Sequence, residues 1–207
     1  MFKIIAVLVL LALNESALAG KWIIGGSIAA TKSENDDALL NSQLEASGLN
    51  ATAKTEDDIR IRWQLYGGYD FAERWGVELG YMDLGKVETT FTGTTVDIDA
   101  FLNSAQDIHP QTAQGWLVSM THYFPIDYGT RIKARIGIYN WEADYTLQGG
   151  NASKSVSQNG SDISYGIGIE LGEWHTTGAI GHLKWDHYNV EDKDFEVIAF
   201  GFSFGFK

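Results

Sequence analysis

Residues 58–69 read DIRIRWQLYGGY, a segment in which apolar and polar side chains alternate one by one. Ile61 and Trp63 belong to the apolar set, whereas Arg60 and Arg62 belong to the polar set. Successive side chains of a β-strand point to opposite faces, whereas the faces of an α-helix repeat about every 3.6 residues. The segment therefore predicts a β-strand with one uncharged face and one charged face.

The same period of two recurs in seven further segments, whose apolar positions contain no Asp, Glu, Lys or Arg. These segments cover residues 22–30, 75–81, 116–124, 132–138, 163–171, 179–187 and 198–206. The connections alternate in length, with longer ones at 32–57, 88–112, 148–160 and 189–194 and shorter ones at 70–74, 125–129 and 172–177. Long loops at one end and tight turns at the other are typical of outer-membrane barrels. The sequence therefore predicts an all-β fold, an eight-stranded antiparallel up-and-down transmembrane β-barrel.

A soluble eight-stranded barrel of the lipocalin type is the structural alternative, because it would bury its apolar face inside. Two features favour lipid on the apolar face: the charged face is balanced in sign, and the last strand carries four phenylalanines that would overfill a small lumen. Bulky aromatic residues also stand near the strand ends, as in the two interfacial girdles of a membrane barrel. They are Trp22, Tyr69, Trp75, Tyr81, Trp116, Phe124, Trp185 and Phe206.

Composition excludes several other classes of protein. The chain has no cysteine, which excludes a disulfide scaffold, a thiolate metal site and a cysteine nucleophile. Its 27 acidic and 15 basic residues give a formal net charge of −12, so no nucleic-acid partner is expected.

The N-terminus has the features of a secretory signal peptide. Lys3 supplies a positive charge, residues 4–13 form an unbroken apolar run, and Ala17-Leu18-Ala19 matches a cleavage site. Ten apolar residues are too few for a helix across the bilayer, which needs about 20. We therefore expect residues 1–19 to be removed and residues 20–207 to form the barrel, in a bacterial, Gram-negative envelope.

Four segments resemble, in the right order, the transmembrane domain of the outer membrane protein A (OmpA) family. They are GGY (67–69) with WGVELGYMDLGK (75–86) for its second hairpin, RIG (135–137) with WEAD (141–144) for its fifth strand, GIGIE (166–170) for its sixth and FGFSFGF (200–206) for its last. The resemblance implies an eight-stranded barrel in a family of structural, surface-exposed envelope proteins, some with weak pore activity. Two-domain members also bind peptidoglycan, a role that we do not expect here because Lys207 follows the last strand directly.

Ionisable residues at inward positions of the predicted strands form a candidate ion network in the lumen. They are Arg60, Arg62, Glu78, Lys133, Arg135, Glu170, His182, Lys184 and Asp186. Charges inside a narrow barrel must pair, because an isolated buried ion costs several kcal/mol. Either they form a water-poor polar plug, which we favour since small barrels are usually filled, or they line a narrow ion path gated by exchange between pairs.

The resemblance also indicates where this lumen departs from the family. It places Glu78 and Glu170 on interior carboxylates of the family's ion pairs, but His182, Thr121 and Lys184 stand where an arginine, a lysine and a glutamate are usual. A gate built from those pairs is therefore in doubt. The partner of Glu78 stays open between His182, Lys184 and Arg135.

Other candidate sites are weaker. The final row of Phe200, Phe202, Phe204 and Phe206 resembles the signal that the barrel-assembly machinery reads. The acidic residues Glu34, Asp36 and Asp37 could share a divalent cation, although without a fixed ligand spacing. His122 and His187 fall on the outer face, where we expect their rings at the headgroup level. Ser164 and Ser203 point inward with no histidine beside them, so a catalytic site is not expected.

The sequence thus predicts a structural and surface-interaction protein of the bacterial outer membrane, without cofactor or resident metal and monomeric. Its expected partners are outer-membrane lipid, lipopolysaccharide and, during biogenesis, the assembly machinery. A low-conductance pore for ions or small solutes is the alternative. A third reading is an outer-membrane enzyme that modifies lipids.

Overall fold

Eight antiparallel strands close on themselves as a barrel, in the order β1-β10-β9-β8-β7-β6-β4-β3. The computed structural model describes residues 20–33, 37–55, 60–85, 89–93, 101, 113–149, 152–172, 178–190 and 193–206. Its elements are β1 (Lys21–Ser33), α1 (Asp37–Ala46), β2 (Ala51–Thr55), β3 (Arg60–Ala72), β4 (Trp75–Gly85), β5 (Thr89–Gly93), β6 (Ala113–Pro125), β7 (Thr130–Gly149), β8 (Ala152–Gly172), β9 (Ala179–Val190) and β10 (Lys193–Phe206). The predicted fold class is confirmed.

The apolar face of the strands lies on the outside of the barrel. Ile61 and Ile28 are 70% and 66% exposed, while their strand neighbours Arg60 and Ala29 are buried. A surface of this kind is unfavourable in water and suits the hydrocarbon of a bilayer. The outward face predicted from the two-residue period is therefore correct.

The two ends of the barrel differ in their connections. Residues 73–74 and 126–129 make short turns at the end that we call the turn end, where β1 begins and β10 finishes. Longer connections, 34–59 and 86–112, lie at the opposite or loop end. Gly85 closes β4 at the loop end with a φ of 89°, a conformation that favours glycine, and the Arg62 guanidinium packs against it.

Aromatic side chains ring the barrel near both ends. At the turn end, the rings of Trp22 and Tyr69 lie 4.8 Å apart. Toward the loop end, Tyr81 meets Trp116 edge-on at 5.3 Å. Outer-membrane barrels carry such girdles at both membrane interfaces, so the predicted girdles are present on the outer face.

The connection between β7 and β8 differs from the predicted loop at residues 148–160. The two strands stay paired from Thr130↔Leu171 up to Gly149↔Ala152. Their barrel neighbours stop earlier, since β6 reaches β7 only up to Glu142 and β9 reaches β8 only up to Ser164. Residues 143–149 and 152–163 therefore form a two-stranded arm, which extends roughly 20 Å beyond the described ends of its barrel neighbours at about 3.3 Å per residue.

A second small structure is inserted in the loops. β2 and β5 pair as a two-stranded sheet, and α1 packs on β2. Leu44 of α1 and Ala53 of β2 are buried against each other. The Asn41 side chain fixes this contact, because its amide donates to the Ala53 carbonyl (3.1 Å) and its oxygen accepts from the Ala53 N–H (2.6 Å). Residues predicted as loop thus build a separate packed unit.

One prediction, the signal peptide, falls outside this description. The proposed signal peptide, residues 1–19, lies outside the described residues. Among the described residues, no helix is both long and apolar enough to span a bilayer.

Candidate functional site in the barrel lumen

Ion pairs fill the half of the lumen nearer the turn end. Glu170 of β8 lies between two cations of β7: its Oε2 is 2.6 Å from Nη2 of Arg131, and its Oε1 is 3.6 Å from Nζ of Lys133. Lys133 also pairs with Glu78 of β4. These residues are inward because they occupy alternate positions of their strands, and barrel closure brings β4 and β8 to opposite sides of β7. The result is a continuous chain of charge from β4 to β8.

A second group of ion pairs lies one layer closer to the loop end. Nη2 of Arg135 is 2.8 Å from Oδ1 of Asp186 and donates to the Tyr188 hydroxyl at 3.2 Å. Lys184 lies 3.7 Å from the other oxygen of Asp186 and donates to the Gln64 side chain. Each cation thus has a carboxylate or an uncharged oxygen within reach, as a buried charge requires.

The partner of Glu78 is none of the three candidates left open by the sequence. Lys133 takes that place, whereas Arg135 and Lys184 pair with Asp186 and His182 lies against Tyr66. The reason is register: Glu78↔Ser119 joins β4 to β6 and Tyr123↔Lys133 joins β6 to β7, which sets the relative heights of the two residues in the barrel. Register of distant strands cannot be read from alternation alone.

Sequence reasoning did not single out several polar residues of this half. The Tyr123 hydroxyl donates to Asp70 at 2.9 Å, and the Arg131 guanidinium lies 3.7 Å from the centre of the Tyr123 ring. All three occupy inward positions of their strands, so the two-residue period could have identified them. Arg131 in particular shares its face with Lys133.

Tyr66 and His182 complete the lining of a small cavity in this half. The Tyr66 hydroxyl lies 3.4 Å from Nδ1 of His182. The cavity measures about 20 Å³ and is also lined by Glu78, Lys133 and Lys184. That volume suits one or two water molecules, for which about 10–15 Å³ each is needed.

Two predicted members of the network lie elsewhere in the lumen. Arg60 is buried and Arg62 half-buried near the loop end of β3, where they pair in register with Thr31 and Ala29. Among the described residues, Arg62 makes no ion pair, and its Nη1 donates to the Ile61 carbonyl at 2.9 Å. The structure brings the other seven predicted residues together near the turn end and leaves these two apart.

Apart from Thr31, Arg60 and Arg62, the loop-end half of the lumen is largely apolar, unlike the polar plug expected from the sequence. A cluster of buried side chains occupies it, each 5% exposed or less. We call this cluster the apolar layer; it contains Ala29, Met82, Leu84, Ala113, Leu117, Tyr139, Trp141, Ala143, Tyr188, Val190, Phe195, Val197 and Ala199. The outward residues here are apolar in one strand, as at Ile198 of β10, and polar in another, as at Asn140 and Glu142 of β7, so the period of two alone did not reveal the layer.

The remaining predicted sites stay outside this network. His122 packs against Trp75 and Phe124 on the outer face, with ring centres 4.2 and 4.4 Å apart. His187 stacks on Tyr165 at 4.7 Å, and its Nε2 lies 3.2 Å from Asp194.

No group of three or more His, Asp or Glu within the described ranges could hold a metal. Glu34 and Asp36 lie outside those ranges and Asp37 is the first residue of α1, so the cation site stays a prediction.

Comparisons with known proteins identify the family. Residues 21–180 match the OmpA-like transmembrane domain. No curated protein sequence matches significantly.

Among solved structures, the chain resembles Ail, the attachment invasion locus protein of Yersinia pestis, at 14% identity, with a TM-score of 0.53, over 90% of this chain and 99% of Ail. It also resembles OprG of Pseudomonas aeruginosa (12% identity, TM-score 0.52, 91% and 96% covered) and Neisserial surface protein A (9%, 0.51, 89% and 97%). This chain therefore belongs to the OmpA-like transmembrane domain family and is a β-barrel protein of the bacterial outer membrane.

Proposed function

We propose that this protein is a structural and surface-interaction protein, whose barrel anchors it in the outer membrane and whose loop end is its contact surface. In outer-membrane barrels the longer connections face the exterior and the short turns face the periplasm. The arm and the unit of α1, β2 and β5 therefore stand on the outside of the cell.

The apolar layer is the observation that carries this proposal. Leu84, Phe195 and Val197 are each 1% exposed or less within the lumen. Ions cross a barrel only along hydrated paths, and a hydrophobic constriction closes a path by dewetting. Because the layer lies between the ion pairs and the exterior, it supports a sealed barrel with an anchoring role.

A pore is the second candidate, favoured by the cavity beside Glu78 and Lys133. That cavity is large enough for a water molecule, and its charged lining resembles a fragment of an ion path. Exchange of Glu78 between cations would have to coincide with opening of the apolar layer for ions to pass. The pore is therefore an alternative that the same experiment tests.

Planar-bilayer recording on refolded protein separates the two functions. We expect no steady conductance from the wild type. The double variant Leu117→Ala/Phe195→Ala should show transient openings, because it removes bulk from the apolar layer. Its control is Leu183→Ala/Phe200→Ala, which makes the same substitutions on the exposed outer face. Steady wild-type conductance that Glu78→Gln alters would contradict the sealed barrel and establish the pore.

The net charge of the chain also indicates which class of ligand the loop end can contact. Ail has been solved in complex with the heparin analogue sucrose octasulfate, a polyanion. The present chain carries a formal net charge of −12, which opposes the binding of a sulfated sugar. We infer that its partners are outer-membrane lipid and lipopolysaccharide around the barrel, and that it contacts uncharged or cationic groups at its loop end.

We further propose that the phenylalanine row of β10 is the assembly signal. Phe200, Phe202, Phe204 and Phe206 are all exposed on the outer face. Phe206→Ala should impair insertion in cells far more than refolding in detergent, because it removes a recognition element and only one ring's contact with lipid. Ile198→Ala, on the outer face of the same strand but outside the row, is the control. Equal effects of Phe206→Ala in both assays would mean that the residue is merely structural.

A further inference from the structure

The outward face of the β7–β8 hairpin changes chemistry where the hairpin leaves the barrel. Its last apolar pair toward the loop end is Ile138↔Ile163. Above that pair, hydroxyl, amide and carboxylate side chains form four cross-strand pairs, and all eight residues are exposed. We call these residues the polar ladder: Asn140↔Ser161, Glu142↔Asn159, Asp144↔Ser157 and Thr146↔Ser155.

Cross-strand contacts hold the base of the polar ladder in place. The Ser161 hydroxyl donates to Oδ1 of Asn140 at 2.8 Å. The Gln114 amide on β6 donates to Oε1 of Glu142 at 3.2 Å. Within the part of the chain that the structure describes, these contacts leave the Asn140 amide nitrogen and the second Glu142 oxygen available to a ligand, one as donor and the other as acceptor. The base of the ladder is therefore preorganised for hydrogen bonding.

The spacing of the polar ladder suits a carbohydrate. Paired residues lie about 4.8 Å apart across the strands, and successive pairs about 6.8 Å apart along them. An oligosaccharide presents hydroxyls along its length, each a donor and an acceptor, so it can meet several positions of the polar ladder at once. Short side chains such as those of Ser155 and Ser157 let a ring approach the sheet closely, and they lose little rotamer entropy when it binds.

The position and the charge of the polar ladder further restrict the chemical class of its partner. The polar ladder continues the outer face directly above Ile138 and Ile163, the last apolar pair, so it begins where the apolar part of that face ends. None of its residues is Lys, Arg or His, while Glu142 and Asp144 are acidic. A phosphate or sulfate group would be repelled there, whereas an uncharged sugar would not.

We propose that the polar ladder binds uncharged sugar residues of lipopolysaccharide, the lipid-linked carbohydrate that surrounds an outer-membrane barrel. The inference rests on the proposed surface-interaction function and names one of its partners. The outward face of the arm then contacts the sugars of the outer membrane that surrounds the barrel. The contact would hold the arm upright among the sugars and anchor the barrel at a second level above the lipid.

Titration of the full chain, refolded in nanodiscs without lipopolysaccharide, tests this assignment. The probe is the core oligosaccharide released from lipopolysaccharide by mild acid and then dephosphorylated, with binding followed by NMR. We expect the triple variant Ser155→Val/Ser157→Val/Asn159→Val to bind about tenfold more weakly, since it removes several neutral hydrogen bonds. Valine suits a strand, so the arm should still form.

Gln158→Val is the matched control, because Gln158 lies on the same strand but on its inward face. It should bind like the wild type. Absence of wild-type binding, or equal binding by the triple variant, would overturn the proposal. Binding of heparin or of phosphorylated oligosaccharide only would assign the face to an anionic partner instead. Planar-bilayer recording tests the sealed barrel independently of sugar binding. A failure of the polar-ladder proposal can therefore be distinguished from a failure of the proposed function.

Discussion

At the turn end of the lumen, Glu170 lies between Arg131 and Lys133, whereas at the loop end Leu117 and Phe195 pack in an apolar layer. Both halves fill most of a narrow interior with side chains, but they do so with different interactions. Ion pairs are directional and hold strands at a defined register. Apolar packing is not directional and depends on volume and shape. One barrel therefore combines a polar half that specifies register with an apolar half that seals.

Substitutions in the two halves should also destabilise the barrel for different physical reasons. Removing one member of a buried ion pair leaves an uncompensated charge, which is strongly unfavourable. Removing a methyl group from the apolar layer leaves a cavity, whose cost depends on how far the neighbours relax. Four substitutions measure this difference, in order of decreasing expected effect on the free energy of unfolding.

Glu170→Ala should have the largest effect. It removes the carboxylate that lies 2.6 Å from Arg131 and 3.6 Å from Lys133 in a buried site, at a cost of about 3–5 kcal/mol. Urea unfolding of the barrel in lipid vesicles measures the loss, and Glu73→Ala in an exposed turn is the control. A loss below about 1 kcal/mol would mean that water reaches the polar half and solvates the cations.

Leu117→Ala should follow, at about 2–5 kcal/mol, because Leu117 is buried in the apolar layer and its removal opens a cavity. The same unfolding titration applies. Leu183→Ala makes the identical change on the outer face, where lipid can fill the space, and should cost clearly less. Equal losses at both positions would place Leu117 in a loosely packed environment and remove the contrast between the halves.

Ile167→Arg should cost roughly 2–4 kcal/mol, since Ile167 is 52% exposed on the lipid face and lies away from both strand ends. Leu171→Arg, on the same face near the turn end, should cost only about 0–1 kcal/mol. Folding titrations into vesicles compare the two variants. A neutral Ile167→Arg would contradict the outward register of β8.

Tyr139→Phe should have the smallest effect, about 1 kcal/mol, because it removes one buried hydrogen bond from the hydroxyl to the Met82 carbonyl (3.0 Å) and keeps the ring. Tyr165→Phe on the exposed outer face is its control. If Tyr139→Phe costs as much as Leu117→Ala, the loop-end half depends on polar contacts after all, and the division between the halves is less sharp.

The fold was predictable because strand alternation is a local property. The period of two in residues 58–69, repeated along the chain, identified the strands and the lipid face without knowledge of any contact. The alternation of long and short connections distinguished the loop end of the barrel from the turn end. The arm was not predicted, because Ser, Asn and Gly are poor strand formers and residues 148–160 are rich in them; pairing with β7 extends β8 through that stretch nonetheless.

The candidate site was predictable only in part. Alternation identified Glu78 and Lys133 as inward, but it does not relate the height of one strand to that of another. The two residues are 55 positions apart in the chain and meet through the registers of β4, β6 and β7. The apolar layer was missed for a related reason: at this level the outward residues are apolar in β10 but polar in β7, so the contrast between the two faces did not mark which side chains enter the lumen.

The amino-acid order alone thus determines the strands, their outward faces and the class of membrane protein, because these depend on side-chain chemistry at neighbouring positions. Barrel closure and strand register decide which charges pair, where the lumen turns apolar and how far β7 and β8 rise above their neighbours. Those features depend on distances between residues far apart in the chain. Such distances exist only once every strand has found its partners.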